Sequence, residues 1–194
     1  MPEQSSMHSY LSWTKERIDE MDATLASLEG RAGRVKADAQ AKADQLIADL
    51  KKRRDEFQAK VKAQVAGDQT QLQSQWHGFE AKVKTYFETV DKQIDQQQAT
   101  FRDIAAAQEK AWREAAEKLH NEAANIAAAK RPEIDAVVKQ MKADASEAEA
   151  RLQKLKQAGS ESWAALSAAL VESRKAFDRA NQAAWDALKR ATAH

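Results

Sequence analysis

The chain of 194 residues has 31 basic and 30 acidic side chains, only 5 glycines and 2 prolines, and no cysteine. The balanced charge disfavours a general nucleic-acid binder, which carries a basic surplus. The lack of cysteine excludes a disulfide framework and thiolate chemistry. Alanine accounts for 41 residues and, with Lys, Glu, Gln and Arg, favours long helices over strands. These features predict an all-α fold in which long amphipathic helices form an elongated antiparallel bundle or coiled coil.

Residues 1–8 carry no apolar pattern and are predicted to form a flexible N-terminus. They also lack the apolar stretch of a signal peptide, and no later segment approaches the roughly 18 apolar residues of a membrane-spanning helix. We therefore expect a cytoplasmic protein.

A heptad pattern opens the first helix, which is predicted over 9–66. Large apolar residues and alanines recur every seven positions, as in a coiled coil: Leu11, Ile18, Leu25, Ala32, Ala39 and Leu46. Thr14, Met21, Leu28 and Val35 fill the companion positions. Gly30 and Gly33 interrupt the pattern, and each predicts a bend or a close helix contact.

Beyond Leu46 the apolar period becomes eleven residues, which predicts a nearly straight seam. One row contains Leu50, Val61, Leu72, Val83, Ile94 and Ala105, and a second contains Phe57, Phe79, Val90, Phe101 and Trp112. The sequence from Phe57 to Lys62 recurs 22 residues later as Phe79 to Lys84. Trp163 to Leu166 recurs, again 22 residues later, as Trp185 to Leu188. Two recurrences at one offset indicate a 22-residue repeat unit.

Three positions divide the chain further. Gly67 followed by Asp68 resembles a helix end and a new N-cap. If the chain breaks at 67–68, residues 9–130 form a helical hairpin. If the helix continues, they form one rod. With the break, a second helix is expected over 69–130, and Pro132 is expected to open the next one. Gly159 is expected to end that helix and Ser160 to cap the last one, which gives helices over 133–158 and 161–192. The two helices form the C-terminal segment 132–194, with a hinge expected at 159–160.

The repeats resemble the 11- and 22-residue helical units of the exchangeable apolipoproteins, whose sequences are also free of cysteine and rich in Ala, Glu, Lys and Gln. The resemblance rests on the Phe57/Phe79 and Trp163/Trp185 pairs and covers residues 46–112 and 161–192. It implies peripheral binding to a lipid or membrane surface.

Large apolar side chains in the repeats are the candidates for contact with a partner or a lipid surface: Phe57, Val61, Phe79, Val83, Trp163, Leu166, Leu170, Phe177, Trp185 and Leu188. In the last helix, Arg174 and Asp178 are assigned to the opposite, polar face. The densest basic cluster, consisting of Lys51, Lys52, Arg53 and Arg54, is the candidate for an anionic partner. The same cluster also suits a solvated face or an acidic neighbouring helix.

Enzymatic motifs are missing from the sequence. It contains no glycine-rich phosphate loop, no nucleophile elbow and no paired-histidine zinc motif. We therefore expect a non-enzymatic helical scaffold or interaction protein with no cofactor and no metal. Its expected partner is itself or another helical protein, because an alanine-rich core buries little surface per chain. Binding to an anionic lipid surface is the alternative, and a nucleic-acid partner is disfavoured.

Overall fold

The computed structural model describes residues 2–63 and 69–192, and within these ranges all regular structure is helical, which confirms the all-α prediction. The described residues form six α-helices that pack against one another in a bundle. In chain order they are α1 (Pro2–Arg31), α2 (Gln40–Lys62), α3 (Gln69–Thr89), α4 (Ile94–Ala123), α5 (Arg131–Ala158) and α6 (Trp163–Thr192).

The predicted helix over 9–66 is wrong, because two 3₁₀ turns, Ala32–Arg34 and Ala37–Ala39, separate α1 from α2. Gly33 lies in the first of these turns, as expected for a bend. A Cβ added to Gly33 would have no atom within 4 Å, so the glycine serves a change of direction and not a close helix contact. At the other end, α1 begins at Pro2, so residues 2–8 belong to this helix.

The predicted helix over 69–130 is also wrong, because the chain leaves the helix between Thr89 and Ile94 and again after Ala123. Asp91 explains the first break. Its Oδ1 accepts the backbone N–H of Gln93 at 3.2 Å, and its backbone oxygen accepts Nε2 of Gln97 at 3.3 Å. An aspartate that bonds the backbone two residues ahead stabilises a turn in place of a helix.

Helices α2 and α3 run antiparallel. Lys60 Nζ donates to Gln71 Oε1 at 2.7 Å near one end of the pair, and Lys82 Nζ lies 3.9 Å from Asp49 Oδ2 further along. A single helix running through Gly67 would not allow these contacts, so the continuous rod is wrong. The observed hairpin joins α2 to α3 and is shorter than the predicted hairpin over 9–130. Gly67 and Asp68 themselves lie outside the described residues.

The boundaries of the last two helices follow the sequence closely. Gly159 ends α5 in the left-handed region at φ +66°, where glycine is favoured, as predicted. Pro132 lies in the first turn of α5, which also agrees with the prediction. The cap of α6 differs: Ser162, not Ser160, accepts the backbone N–H of Ala165, at 3.4 Å.

Side-chain contacts fix the directions of the long helices. Helix α1 runs antiparallel to α4, since Ser27 contacts Thr100 (2.9 Å between hydroxyl oxygens) while Lys15, earlier in α1, pairs with Glu114, later in α4. Helix α4 runs parallel to α6. Their rings meet where Trp112 packs edge-on against Phe177, with centroids 5.2 Å apart.

The buried apolar side chains form two clusters. The first joins α1, α2, α3, the beginnings of α4 and α6, and Leu152 near the end of α5. The second joins the remainder of α4 and α6 to the beginning of α5. Helices α4, α5 and α6 therefore contribute to both clusters, and they hold the two ends of the bundle together.

Candidate functional site

Four ionisable side chains, each at least 93% buried, lie inside the bundle where α1 faces α4 and α6. Two more acidic side chains, Glu80 on α3 and Asp178 on α6, contact them from less buried positions. We call this set the ionic layer: Glu16, Arg17, Glu20, Arg174, Glu80 and Asp178.

Arg174 and Glu20 form the central pair of the ionic layer. The guanidinium of Arg174 donates from Nη2 to Glu20 Oε1 at 2.7 Å and from Nε to Glu20 Oε2 at 2.9 Å. Its Nη1 lies 3.4 Å from Glu80 Oε2. Gln108 on α4 adds a hydrogen bond from Nε2 to Glu20 Oε1 at 3.0 Å. Four helices are thus joined at one buried carboxylate and its arginine.

Arg17 forms the second pair. It donates from Nη1 and Nη2 to the two carboxylate oxygens of Asp178 at 3.0 and 2.6 Å, and Nη1 also contacts Glu16. Both arginines lie near the indole ring of Trp76: Cζ of Arg174 is 4.6 Å and Cζ of Arg17 is 5.6 Å from the ring centroid. Aromatic faces attract guanidinium groups, so Trp76 helps to hold both cations in the interior.

The two glutamates of α1 differ in protonation. Burial raises the pKa of Glu16 well above its ordinary value, and the neighbouring Glu20 raises it further. Burial would raise the pKa of Glu20 as well, but Arg174 outweighs this effect and lowers that pKa to about 2. Glu16 therefore holds a proton in the folded protein under conditions where Glu20 is ionised.

The space beside the central pair of the ionic layer is small. A cavity of about 40 Å³ lies against Glu20, Trp76, Glu80 and Arg174. This volume suits one or two water molecules and no organic substrate. The arrangement fixes how α1, α3, α4 and α6 meet, and its chemistry is that of a buried salt bridge.

The ionic layer was not found in the sequence, and the assignment of Arg174 to the polar face of α6 is wrong. A signal was present, because Arg174 follows Leu170 by four residues and precedes Phe177 by three, which places it on the apolar stripe. On α1 the buried residues Trp13, Arg17, Glu20, Thr24 and Ser27 follow the same spacing. Scoring only apolar residues hides such a stripe.

The apolar candidates for partner or lipid contact lie in the core. Val61 is partly buried at the edge of the first cluster, and the other nine are buried at 8% exposure or less. The structure divides them between the two clusters and does not gather them on one surface. Among large apolar side chains of the described residues, Leu11 and Ile94 are the exposed ones. Contact with a lipid through the candidate set thus requires the helices to separate.

The basic cluster of α2 faces the acidic side of α1. Lys51 Nζ lies 3.4 Å from Glu29, and Arg54 Nη1 lies 3.1 Å from Asp22. Arg53 packs near Gly78 of α3, and Lys52 is exposed. The interpretation of this cluster as the complement of an acidic neighbouring helix therefore accounts for two of its four cations.

A groove of about 650 Å³ runs between α5 and α6 on the outside of the bundle. Small side chains cover its base, together with Leu152: Ala148, Ala169, Ser173, Ala176, Ala180 and Ala183. Charged side chains form its two walls: Asp144, Glu147 and Arg151 on α5, and Glu172 and Arg179 on α6. Small residues allow another helix to approach closely, and the flanking charges can select its orientation. This groove was not predicted from the sequence.

No helix in the described part of the chain combines the length and apolarity needed to cross a bilayer. Within residues 2–63 and 69–192, no group of three or more His, Asp or Glu side chains is placed to hold a metal ion. Comparison with known protein families, with characterised proteins and with solved structures finds nothing that matches the chain.

Proposed function

We propose that this protein is a non-enzymatic helical interaction protein that binds a helical partner, in the first place a second copy of itself. The observation that carries the proposal is the groove between α5 and α6, with its alanine base and charged walls. A helical partner packed against this face would bury alanine methyl groups and meet the charges of both walls.

Elsewhere on the described surface exposed large apolar side chains are scarce, and a second groove, of about 580 Å³, lies between α1 and α4. The large apolar side chains are in the two clusters, apart from Leu11 and Ile94, which lie on different helices. The central pair of the ionic layer borders a cavity of water size, whereas Glu16 and Asp178 line wider openings at the surface. The α5–α6 groove therefore combines small residues, volume and unburied charge in a way that suits helix binding.

Sedimentation velocity at a series of concentrations tests the proposal. A self-associating protein gives a sedimentation coefficient that rises with concentration, and added salt weakens the association because charged walls contribute. A sedimentation coefficient that stays at the monomer value throughout would contradict self-association.

Binding to an anionic lipid surface is the second candidate function, and the α2–α3 hairpin supports it. The hairpin buries Phe57, Phe79 and Val83 and carries Lys52, which is exposed, on the same unit. If the hairpin moved away from α1, these apolar side chains would face outward beside a cation, as an interfacial helix requires.

Vesicles of anionic lipid with brominated acyl chains test this candidate, since bromine quenches tryptophan at short range. All five tryptophans are buried, so a shift in emission colour would be a poor signal. Opening of the hairpin predicts quenching that is lost when Trp76 of α3 is replaced by Phe. Unquenched emission, with no protein sedimenting with the vesicles, would contradict lipid binding.

A further inference from the structure

We propose that two copies of the chain associate face to face through α5 and α6, each helix lying antiparallel to its counterpart in the other copy. This inference rests on the proposed function and specifies the surface and the arrangement. It is carried by three observations on the α5–α6 groove: the spacing of its small residues, the opposite charges at its corners, and one buried hydroxyl group without a partner.

The small residues of α6 follow a seven-residue spacing. Ala169, Ala176 and Ala183 form one row, and Ser173 and Ala180 form the second. All five line the groove. This is the a and e spacing of a helix that packs along its length against another helix, with side chains small enough for close approach. Ala169 and Ala176 are half-buried and Ala183 is exposed, so the row lies at the surface.

Opposite charges lie at the four corners of the groove, Asp144 and Arg151 on α5 and Glu172 and Arg179 on α6, while Glu147 pairs with Arg151 of its own helix. The contact of Glu133 with Arg190 (3.6 Å) fixes how α5 and α6 are aligned. From this contact α5 continues forward and α6 is followed backward, because the two helices are antiparallel. Eleven residues along, Asp144 lies level with Arg179, and eighteen residues along, Arg151 lies level with Glu172. Each corner of the groove thus faces an opposite charge, yet no ion pair of the described residues crosses it.

Such a pattern is complementary to itself. A two-fold axis that crosses the groove between Lys175 and Ala176 brings Glu172 level with Arg179 of the second copy. The same axis crosses α5 between Glu147 and Ala148, where it brings Asp144 level with Arg151 of the second copy. Each of these two pairs occurs twice in the dimer, as in any isologous contact. All four corners therefore meet an opposite charge. Opposite charges also meet when α5 lies over α6 of the second copy, and the charge reversals described below distinguish the two arrangements.

Ser173 supports the same arrangement. Its side chain is 6% exposed, and its Oγ has no hydrogen-bond partner in the monomer. Unpartnered buried hydroxyl groups are unfavourable and need an explanation. Ser173 lies at the base of the groove, so a second copy seated there would bring polar side chains of its own α6 toward this hydroxyl group. Dimer formation would thus offer it a partner.

Charge reversal tests the arrangement by sedimentation equilibrium. Glu172→Arg and Arg179→Glu should each raise the dissociation constant about tenfold or more, because each change replaces two attractive contacts by two repulsive ones. The double variant Glu172→Arg/Arg179→Glu should restore the affinity of the original chain. An equal mixture of the two single variants should form a heterodimer more tightly than either variant forms a homodimer.

Matched reversals elsewhere serve as controls. Glu56→Arg on α2 and Arg113→Glu on α4 make the same charge changes at exposed positions outside the groove. Both should leave the dissociation constant within about twofold. Far-ultraviolet circular dichroism of each variant should match that of the original chain, which establishes that lost association does not come from lost folding.

The outcomes separate this inference from the proposed function. If the chain self-associates but the groove variants behave like the controls, the inference is overturned and self-association stands. If the double variant binds more weakly than either single variant, α5 lies over α6 of the second copy and the proposed antiparallel arrangement is wrong. If the original chain stays monomeric at every concentration, both proposals fail.

Discussion

Replacing Arg174 by methionine should leave the carboxylate of Glu20 buried without its main counter-ion. Methionine keeps most of the side-chain length and removes the two hydrogen bonds to Glu20, the contact with Glu80 and the cation over the ring of Trp76. The ionised carboxylate of Glu20 then keeps the hydrogen bond from Gln108 of α4 but has none from α6. Breaking a buried ion pair in this way typically costs about 3 to 5 kcal/mol.

The pKa of Glu20 gives a second measure of the same effect. Burial opposes ionisation, but Arg174 lowers the pKa from 4.5 to about 2. This lowering corresponds to about 3 kcal/mol of stabilisation at neutral pH. Because the pKa is lowered in the folded state, the stabilisation is present above pH 4.5 and is lost as the pH falls toward 2. The difference between the original chain and the variant should therefore shrink on acidification.

Urea unfolding at neutral pH and at a series of lower pH values measures both quantities. Arg190→Met on the same helix is the matched control, since Arg190 pairs with Glu133 at the surface with 64% of its side chain exposed. That variant should differ from the original chain by no more than about 0.5 kcal/mol. If Arg174→Met costs as little as Arg190→Met, the ionic layer does not stabilise the bundle as argued.

Three smaller changes test other features. Glu16→Gln should stabilise the bundle increasingly as the pH rises above about 4.5. The reason is that the raised pKa makes Glu16 keep a proton in the folded original chain that the unfolded chain releases. Urea unfolding at acidic and alkaline pH should show this difference, and a gain in stability that does not depend on pH would contradict it. Gly159→Ala should lower the stability by about 1 kcal/mol, since φ is +66° there, and an unchanged melting temperature would count against the strain. Gly78→Ala places a Cβ 2.6 Å from Arg53 Nη1, the flexible end of a side chain that can move, so helix propensity should raise the stability by up to about 1 kcal/mol; a lower melting temperature would mean that Arg53 is held in place.

The sequence predicted the fold class and most of the core because apolar spacing reports directly on buried helix faces. Of the eleven-residue rows, Leu50, Phe57, Leu72, Phe79 and Phe101 are all buried. The heptad row of α1 was less accurate: Leu25 is buried, but Leu11 is 37% exposed. A strict seven-residue repeat drifts around a straight helix, so one row does not stay on one face without supercoiling.

Helix ends were harder to predict, because the interactions that stop a helix involve single polar residues. Nothing in the local pattern distinguishes Asp91 from the other aspartates of a chain rich in charge. Its role depends on hydrogen bonds to Gln93 and Gln97, which form only when the chain has turned. Glycine at 159 was easier to interpret, since its left-handed conformation is a property of the residue itself.

The ionic layer and the α5–α6 groove depend on contacts between residues far apart in sequence. Glu20 and Arg174 are separated by 154 residues, and each alone resembles a solvated charge on a helix. The same holds for Glu172 and Arg179 of α6, which matter only because they lie beside charged residues of α5. A single sequence shows which charged residues are available for such sites, but it does not show which of them come into contact.

The separation of Glu20 from Arg174 also affects how the chain acquires its structure during synthesis. At about 5 to 20 residues per second, roughly 8 to 30 seconds pass between the addition of these two residues. Throughout that interval Glu20 lacks its main counter-ion, although α1 can already contact α2 through Trp13 and Phe57. The contacts that join α1 to α6 are therefore the last to form on a nascent chain.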